Sequence, residues 1–193
     1  MADSPQPPLL SAVACAIARW MRSASVPYVL IGGMAVSLMG RPRVTQDVDV
    51  LASVEEENWA AFAASGGQFG LVPRLADPAA FARDTRVLPM RHETSGIDVD
   101  IVLAGMPLEE DIIAGGHPVA VGDDTVRLPR TEDLVIMKAV ARRPKDIADI
   151  EGLVEAAEQV DWEYVSHWTR QFAELLEAPE IQALIETLRK RGA

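Results

Sequence analysis

Short apolar or alternating runs typical of strands recur among helical segments over the first 128 positions, and helical spacing alone continues afterwards. The early part predicts a first helix and then strands interspersed with helices and turns. The late part predicts four consecutive helices. The pattern therefore predicts an α/β (α+β) fold with a mixed β-sheet flanked by helices, followed by a C-terminal helical segment. The predicted strands lie at 27–31, 46–53, 85–92, 97–105, 117–121 and 125–128, and the predicted helices at 9–24, 34–40, 54–66, 107–116, 131–143, 144–157, 161–176 and 179–192.

Local signals add detail to these elements. Ser53 is expected to open the helix at 54–66, and Thr131 is expected to cap the first of the late helices. Pro89 favours an edge position for its strand, because proline donates no hydrogen bond to a sheet. Residues 67–83 show no clear pattern.

The same pattern divides the chain. Residues 1–8, which carry three prolines, are expected to form a disordered leader. Residues 9–128 are expected to form the core, and 129–193 a helical subdomain packed on it. No run approaches the ~20 apolar residues needed to span a membrane, and a single cysteine allows no disulfide within the chain. These observations favour a cytoplasmic protein.

The formal net charge of −11 changes the list of candidate partners. Affinity for nucleic-acid backbones comes largely from neutralising phosphates with Lys and Arg. We therefore expect no extended DNA binding, although a local basic patch could still hold a nucleotide or an RNA end.

Two strands carry an unusual pair of acids each. In "QDVDVL", Asp47 and Asp49 share one face, and in "IDVDIVL", Asp98 and Asp100 do the same, because side chains alternate along a strand. If these strands are neighbours, three or four carboxylates converge and repel one another. A divalent cation such as Mg²⁺ or Mn²⁺ would remove that conflict. The alternative interpretation is a solvated sheet face.

Gly32 and Gly33 stand between the strand at 27–31 and the following helix. Backbone amides at the N-terminus of a helix bind phosphate, and glycines leave them accessible. Tight packing between strand and helix explains a Gly-Gly pair equally well. The Gly-Gly pair is informative as a candidate phosphate site because it lies shortly before the first pair of aspartates.

The stretch "IGGMAVSLMGRPRVTQDVDVL" resembles the strand, glycine turn, helix and D-x-D signature of the nucleotidyltransferase superfamily, which includes DNA polymerase β. "GRPRVTQDVDVL" is most similar to the abortive-infection toxin-like nucleotidyltransferases and their bacterial relatives. "IDVDIVLAG" resembles the third-carboxylate strand, and "EDLVIMKAVARRPKDIADIEGL" resembles a downstream helix pair of that group. The resemblance covers residues 26–156.

The resemblance implies an enzyme that transfers a nucleoside monophosphate from an NTP to an acceptor and needs Mg²⁺ or Mn²⁺. Asp47 and Asp49 match the metal-binding pair, and Asp100 is preferred over Asp98 as the third carboxylate. Gly32 and Gly33 match the loop that holds the NTP phosphates. The serine that often follows the first glycine is Gly33 here, and Thr45 is the candidate to supply a hydroxyl nearby.

Basic residues complete the predicted nucleotide site. Lys138 and Arg142 lie one helical turn apart, and Lys138 follows the apolar "LVIM", which favours a directed role such as binding triphosphate oxygens. A cationic helix C-terminus explains Arg142 without any ligand. Arg43 is expected to meet phosphate or to neutralise the acidic strand. Asp146 and Asp149 are expected either to position Lys138 or an acceptor, or to be ordinary acids at a helix N-terminus.

Several alternatives stay open at this point. The acceptor could be tRNA, a protein or a small molecule, and the preferred base and the oligomeric state are undetermined. The toxin-like resemblance raises a toxin–antitoxin pair with an antitoxin partner. A catalytically degenerate nucleotide-binding or interaction module of the same fold is the competing hypothesis, and a D-x-D glycosyltransferase is disfavoured because the Gly-Gly turn precedes the D-x-D.

Overall fold

The structure is a computed structural model that describes residues 8–122 and 124–191. The predicted leader lies outside these residues, except for Pro8, the first residue of helix α1. The described chain forms two compact units. The first unit contains the residues up to Ala35 together with Arg43–Pro129, and the second unit contains Val36–Pro42 and the chain from Arg130 onward.

The first unit is built on a five-stranded mixed sheet with the order β1-β2-β5-β4-β3. Strands β2 and β5 are parallel, and all other neighbours in this sheet are antiparallel. A separate antiparallel pair, β6 and β7, forms a second sheet. The strands are β1 (Tyr28–Ile31), β2 (Asp47–Ala52), β3 (Leu71–Pro73), β4 (Val87–His92), β5 (Asp98–Leu103), β6 (His117–Val121) and β7 (Asp124–Leu128).

Helices pack against this sheet and supply the rest of the core. They are α1 (Pro8–Ala24), α3 (Trp59–Ser65), α4 (Pro78–Thr85) and α5 (Pro107–Gly115). Trp20 of α1 stacks on Phe62 of α3 with ring centroids 4.3 Å apart. The apolar side chains that alternate with the aspartates on β2 and β5 are fully buried: Val48, Val50, Val99 and Ile101. Each contributes about 1.5–3 kcal/mol of burial free energy, which anchors the strands that carry the aspartates.

Helix α2 (Gly32–Met39) follows β1 directly, so Gly32 and Gly33 form its first turn rather than a loop before it. The second unit contains the four late helices, which pack against one another. They are α6 (Thr131–Ala141), α7 (Pro144–Ala156), α8 (Trp162–Leu175) and α9 (Glu180–Arg191). Within the described ranges, none of the helices has the length and apolar character that crossing a membrane would require.

The mixed sheet flanked by helices confirms the predicted fold class, and three local predictions are wrong. Ser53 does not open a helix at 54–66, because a 3₁₀ turn at Glu56–Asn58 precedes α3. The N-cap of α6 is Arg130 rather than Thr131, and the Asp133 carboxylate accepts the Arg130 backbone N–H at 2.9 Å. The strand that contains Pro89 lies between β5 and β3 instead of at an edge.

The interior position of Pro89 has a simple cause. Strand β3 is only three residues long, and its last residue, Pro73, pairs with Met90. Pro89 therefore lies just beyond the end of β3, and its carbonyl accepts the Arg74 backbone N–H at 2.9 Å. The missing N–H of Pro89 faces β3 at the point where that strand ends, so the ladder between β4 and β5 is unaffected.

Candidate active site

The two acidic strands lie side by side. In the parallel pairing of β2 and β5, Asp47 is the register partner of Asp98, and Asp49 is the register partner of Asp100. Register partners on neighbouring strands point to the same face of a sheet, about 5 Å apart. The four carboxylates therefore share one face of the first unit, and the opposite face is the apolar core.

Gly32 lies directly against this face. It has a left-handed φ of 65°, which L residues rarely adopt. A Cβ added at Gly32 would lie 1.9 Å from Oδ2 of Asp49. The absence of a side chain at this position is thus what allows the Asp49 carboxylate to reach the first turn of α2.

Gly33 has an equivalent role toward two polar side chains. A Cβ at Gly33 would lie 2.6 Å from Oγ1 of Thr45 and 2.6 Å from Nη2 of Arg43. Thr45 donates its hydroxyl to Oδ1 of Asp47 at 2.8 Å. The structure therefore brings together Gly32, Gly33, Arg43 and Thr45 beside the acids of β2, in a patch that offers amides, a guanidinium and a hydroxyl.

Two arginines that the sequence pattern does not single out meet the acids of β5. Arg74 bridges Asp98, with Nη1 at 3.1 Å from Oδ2, and Asp100. Arg91 donates from Nε to Oδ1 of Asp98 at 2.7 Å. Asp98 therefore contacts two guanidinium groups, whereas Arg74 alone pairs with Asp100 within the described part of the chain.

This unequal pairing separates the two acids electrostatically. The hydrogen bond from Arg91 holds the pKa of the Asp98 carboxyl below its ordinary value, against a smaller opposing effect of burial, and the charges of Arg74 and Arg91 also lower it. Burial raises the pKa of Asp100 above its ordinary value. The charge of Arg74 opposes this shift, and the charges of Asp98 and Asp47 add to it. Burial thus makes the ionised form less favourable at Asp100 than at Asp98.

The chemistry of this cluster fits a hard divalent cation, because Asp47, Asp49 and Asp100 offer only oxygen ligands. The cluster already accepts one positive group, the guanidinium of Arg74. As the described side chains stand, however, no three or more Asp, Glu, His and Cys residues are arranged so that they could hold a metal ion. The three carboxylates offer suitable oxygen ligands and share one face of the sheet. They would have to come closer together to coordinate a cation.

The remaining predicted ligands, Lys138 and Arg142, lie in the second unit. Lys138 is buried, and its Nζ lies 3.0 Å from Oδ1 of Asp146 and 2.9 Å from Oδ2 of Asp149. Arg142 ends helix α6 with a left-handed φ of 51° and pairs with Glu180. Their assignment as nucleotide ligands stays a prediction, and both have acidic partners within their own unit.

One of the two missed arginines could have been found from the sequence. The predicted hairpin at 85–92 and 97–105 has a four-residue turn, and this register already places Arg91 opposite Asp98, as the structure does. Arg74 gave no comparable signal, because it lies within 67–83, where the pattern of apolar residues is unclear.

Comparison with protein families gives one match. Residues 119–189 match the family described as "Nucleotidyltransferase of unknown function (DUF6036)". None of the curated proteins compared with the chain matches it.

Several solved structures resemble this one, among them two with TM-scores above 0.5. The first is an antigenic nucleotidyltransferase-like protein from Paracoccidioides brasiliensis, with a TM-score of 0.59 at 15% identity, covering 92% of each chain. The second is the lincosamide antibiotic adenylyltransferase LnuA bound to lincomycin, with a TM-score of 0.51 at 14% identity, covering 73% of this chain and 94% of the other. These likenesses show the nucleotidyltransferase fold. The predicted resemblance to nucleotidyltransferases is confirmed at the level of the fold, and the likeness to the toxin-like group stays a prediction.

Proposed function

We propose that this chain, which has the nucleotidyltransferase fold, is a metal-dependent nucleotidyltransferase that transfers the nucleoside monophosphate of an NTP to an acceptor and releases pyrophosphate. One observation supports this proposal most strongly. Asp49 is the register partner of Asp100 and also lies against Gly32, in the first turn of α2. Acidic oxygens suited to a cation and helix N-terminal amides suited to a phosphate thus meet at one point.

Asp47, Asp49 and Asp100 are the residues that we propose to hold Mg²⁺ or Mn²⁺. When bound, the cation would supply positive charge to the developing negative charge on the leaving pyrophosphate and help to ionise the acceptor hydroxyl. Asp98 is not assigned as a ligand, since Arg91 and Arg74 both pair with it.

The chain's own contribution to NTP binding would come from the first turn of α2 and the residues packed on it. Amides at a helix N-terminus point outward and carry partial positive charge, which suits a phosphate. Arg43 and Thr45 lie against Gly33 and would add a guanidinium and a hydroxyl to the same phosphate. A fixed set of donors of this kind stabilises transferred charge without reorganisation.

We also propose Lys138 and Arg142 as ligands of the triphosphate. Lys138 pairs with two buried acids, Asp146 and Asp149. This pairing favours a structural role for Lys138 as well.

We propose three classes of acceptor for the nucleoside monophosphate. The LnuA neighbour is by its name an adenylyltransferase of lincosamide antibiotics, which supports a small hydroxylated molecule as one class. A tRNA end or a protein hydroxyl stays in the proposal on the strength of the toxin-like sequence resemblance, as does an antitoxin partner. The net charge of −11 argues against an acceptor that is held mainly through its phosphate backbone.

The second candidate function is a nucleotide-binding or interaction module that has lost catalysis. The observation in its favour is Arg74, whose guanidinium pairs with Asp100, the proposed third metal ligand. Retention of all three carboxylates speaks against it.

Calorimetric titration with Mg²⁺ and NTP, followed by a pyrophosphate-release assay, separates these functions. We expect the double variant Asp47→Asn, Asp49→Asn to weaken Mg²⁺-dependent NTP binding at least roughly tenfold, since it removes two charge-assisted ligands. The matched control is Glu57→Gln, Asp84→Asn, which removes the same charge from two exposed positions in the same unit. It should bind NTP as the wild type does.

Each remaining outcome has a definite meaning. NTP binding that is equally strong in the Asp47→Asn, Asp49→Asn variant would contradict the proposed site. Binding by the wild type without pyrophosphate release, across the acceptor classes named above, would support the binding module instead.

A further inference from the structure

Arg74 occupies an unusual position for an arginine near a proposed cation site. Its guanidinium reaches both acids of β5, Asp98 and Asp100, at the same time. The side chain is only 27% exposed, so it lies along the acidic face rather than extending into solvent. A guanidinium has the planar, forked geometry that suits two carboxylates at once. Arg74 therefore already occupies oxygens that the proposed function assigns to a divalent cation.

The backbone of Arg74 is fixed while the chain beyond it is exposed. Its N–H donates to the Pro89 carbonyl at 2.9 Å, and Pro89 is the register partner of Asp100. The next residues, 75–77, are exposed and lead into α4. The Arg74 side chain can therefore leave Asp100 by rotating about its own bonds, without any displacement of the sheet.

Arg91 would keep Asp98 neutralised after such a movement. It lies on β4 opposite Asp98 and contacts that acid through Nε at 2.7 Å. If Arg74 departs, Asp98 keeps a guanidinium partner, whereas Asp100 loses the one ion pair that the described residues give it. Asp98 has two arginine partners, whereas Asp100 has one among the described residues. The departure of Arg74 would therefore release Asp100 and leave Asp98 paired.

We propose that Arg74 competes with the divalent cation for Asp100, so that its guanidinium must leave this carboxylate for the metal to bind, while Arg91 keeps Asp98 neutralised. The inference rests on the proposed function, because it takes Asp100 as a metal ligand. It assigns roles to two residues outside the signature motifs: Arg74 is an internal competitor, and Asp98 is its docking point. The alternative role for Arg74 is a fixed clamp that holds β5 to the end of β3.

Direct Mn²⁺ binding, followed by the electron paramagnetic resonance signal of the free ion, tests the proposal without any turnover. Arg74→Gln removes the competitor, and Arg91→Gln is the matched control. Arg91 carries the same charge on the same face, and among the described residues its ion pair is with Asp98 rather than Asp100. We expect Arg74→Gln to bind Mn²⁺ roughly fivefold more tightly than the wild type, the effect of a partly exposed ion pair. Arg91→Gln should change the affinity less than about twofold.

The failures of the two proposals are distinguishable in this experiment. If all three proteins bind Mn²⁺ saturably with equal affinity, or if both variants tighten it equally, Arg74 is not a competitor and the metal site stands. If Asp49→Asn leaves the Mn²⁺ affinity of the wild type unchanged, the bound ion is not at this site, and the proposed function and the inference both fall.

A second measurement is an NMR titration of the wild type with Mg²⁺, in which Arg74→Gln serves only to assign a signal. The Nε–Hε signal of Arg74, identified by its absence from the spectrum of Arg74→Gln, should shift as Mg²⁺ is added, and the Arg91 signal should shift less. A fixed clamp predicts that the Arg74 signal stays in place through saturation with Mg²⁺, and that result would overturn the inference.

Discussion

At the scale of single residues, the central relation is between Gly32 and Asp49. An aspartate is unfavourable in a strand that is otherwise apolar, and this chain places two of them on β2. The structure accommodates Asp49 because Gly32 has no side chain, so that Oδ2 lies 1.9 Å from the point where a Cβ would be. The glycine turn and the acidic strand are therefore one feature, and neither is explained without the other.

Gly32→Ala is the substitution that tests this relation. We expect a loss of about 1–2 kcal/mol in the free energy of unfolding from the left-handed φ alone, together with displacement of the Asp49 carboxylate and weaker Mg²⁺-dependent NTP binding. Urea denaturation and calorimetric titration measure the two effects.

The control for this substitution is Gly67→Ala. Gly67 is exposed, lies outside the left-handed region, and a Cβ added there meets no atom within 4 Å. Its free energy of unfolding should change by less than about 0.5 kcal/mol. If Gly32→Ala has the same free energy of unfolding as Gly67→Ala and the same NTP affinity as the wild type, the close approach of Asp49 to Gly32 contributes neither to stability nor to NTP binding.

The sequence predicts which acids share a face, but the arginines that pair with them were not predicted. Period-two alternation is sufficient to place Asp47 with Asp49 and Asp98 with Asp100, because it depends only on strand geometry. The contact of Arg74 depends on where an irregular segment passes over the sheet, and no local pattern encodes that path. Tertiary placement therefore decides how the acids are neutralised.

At the scale of elements, the sequence predicted hairpins better than parallel neighbours. Strands β4 and β5 are joined by a short turn, and their pairing follows from the sequence. Strands β2 and β5 are parallel, with β3 and β4 inserted between them along the chain. The sequence leaves open whether these two strands are neighbours, and the structure shows that they are.

Helices α6 and α7 are joined by a buried ionic group. Nζ of Lys138 contacts Asp146 and Asp149, and all three residues are buried. Burial raises the pKa of Asp146, but the hydrogen bonds from Arg143 and Lys138 lower it more, so that the pKa lies below its ordinary value. The Lys138 ammonium is thus a counter-charge to two buried carboxylates, those of Asp146 and Asp149.

Lys138→Met should therefore destabilise the protein strongly. Removing one partner of a buried ion pair leaves uncompensated charge and costs about 3–5 kcal/mol. The measurement is the free energy of unfolding in urea, with Lys145→Met as the control, since Lys145 is exposed on the same helix pair. A Lys138→Met protein as stable as the control, but defective in NTP binding, would instead assign Lys138 to the ligand and remove its structural role.

At the scale of the whole molecule, the evidence for the fold comes from complementary parts of the chain. The acidic strands and the glycine turn lie in the first unit. The family match at residues 119–189 lies mostly in the second. The fold could be predicted from the sequence because the order of strand, glycine turn, D-x-D and second acidic strand is itself a long-range pattern. The acceptor could not, because no motif of the chain encodes it.

The most direct test of the account follows the fate of the nucleotide. Purified protein with Mg²⁺ is incubated with NTPs labelled at the α-phosphate or, separately, at the γ-phosphate, in the presence of total RNA, total protein or hydroxylated small molecules. We predict that the α-label passes to an acceptor with release of pyrophosphate, that the γ-label does not, and that Asp49→Asn abolishes the transfer. Transfer of γ-label, or incorporation of α-label that persists in Asp49→Asn, would contradict this prediction.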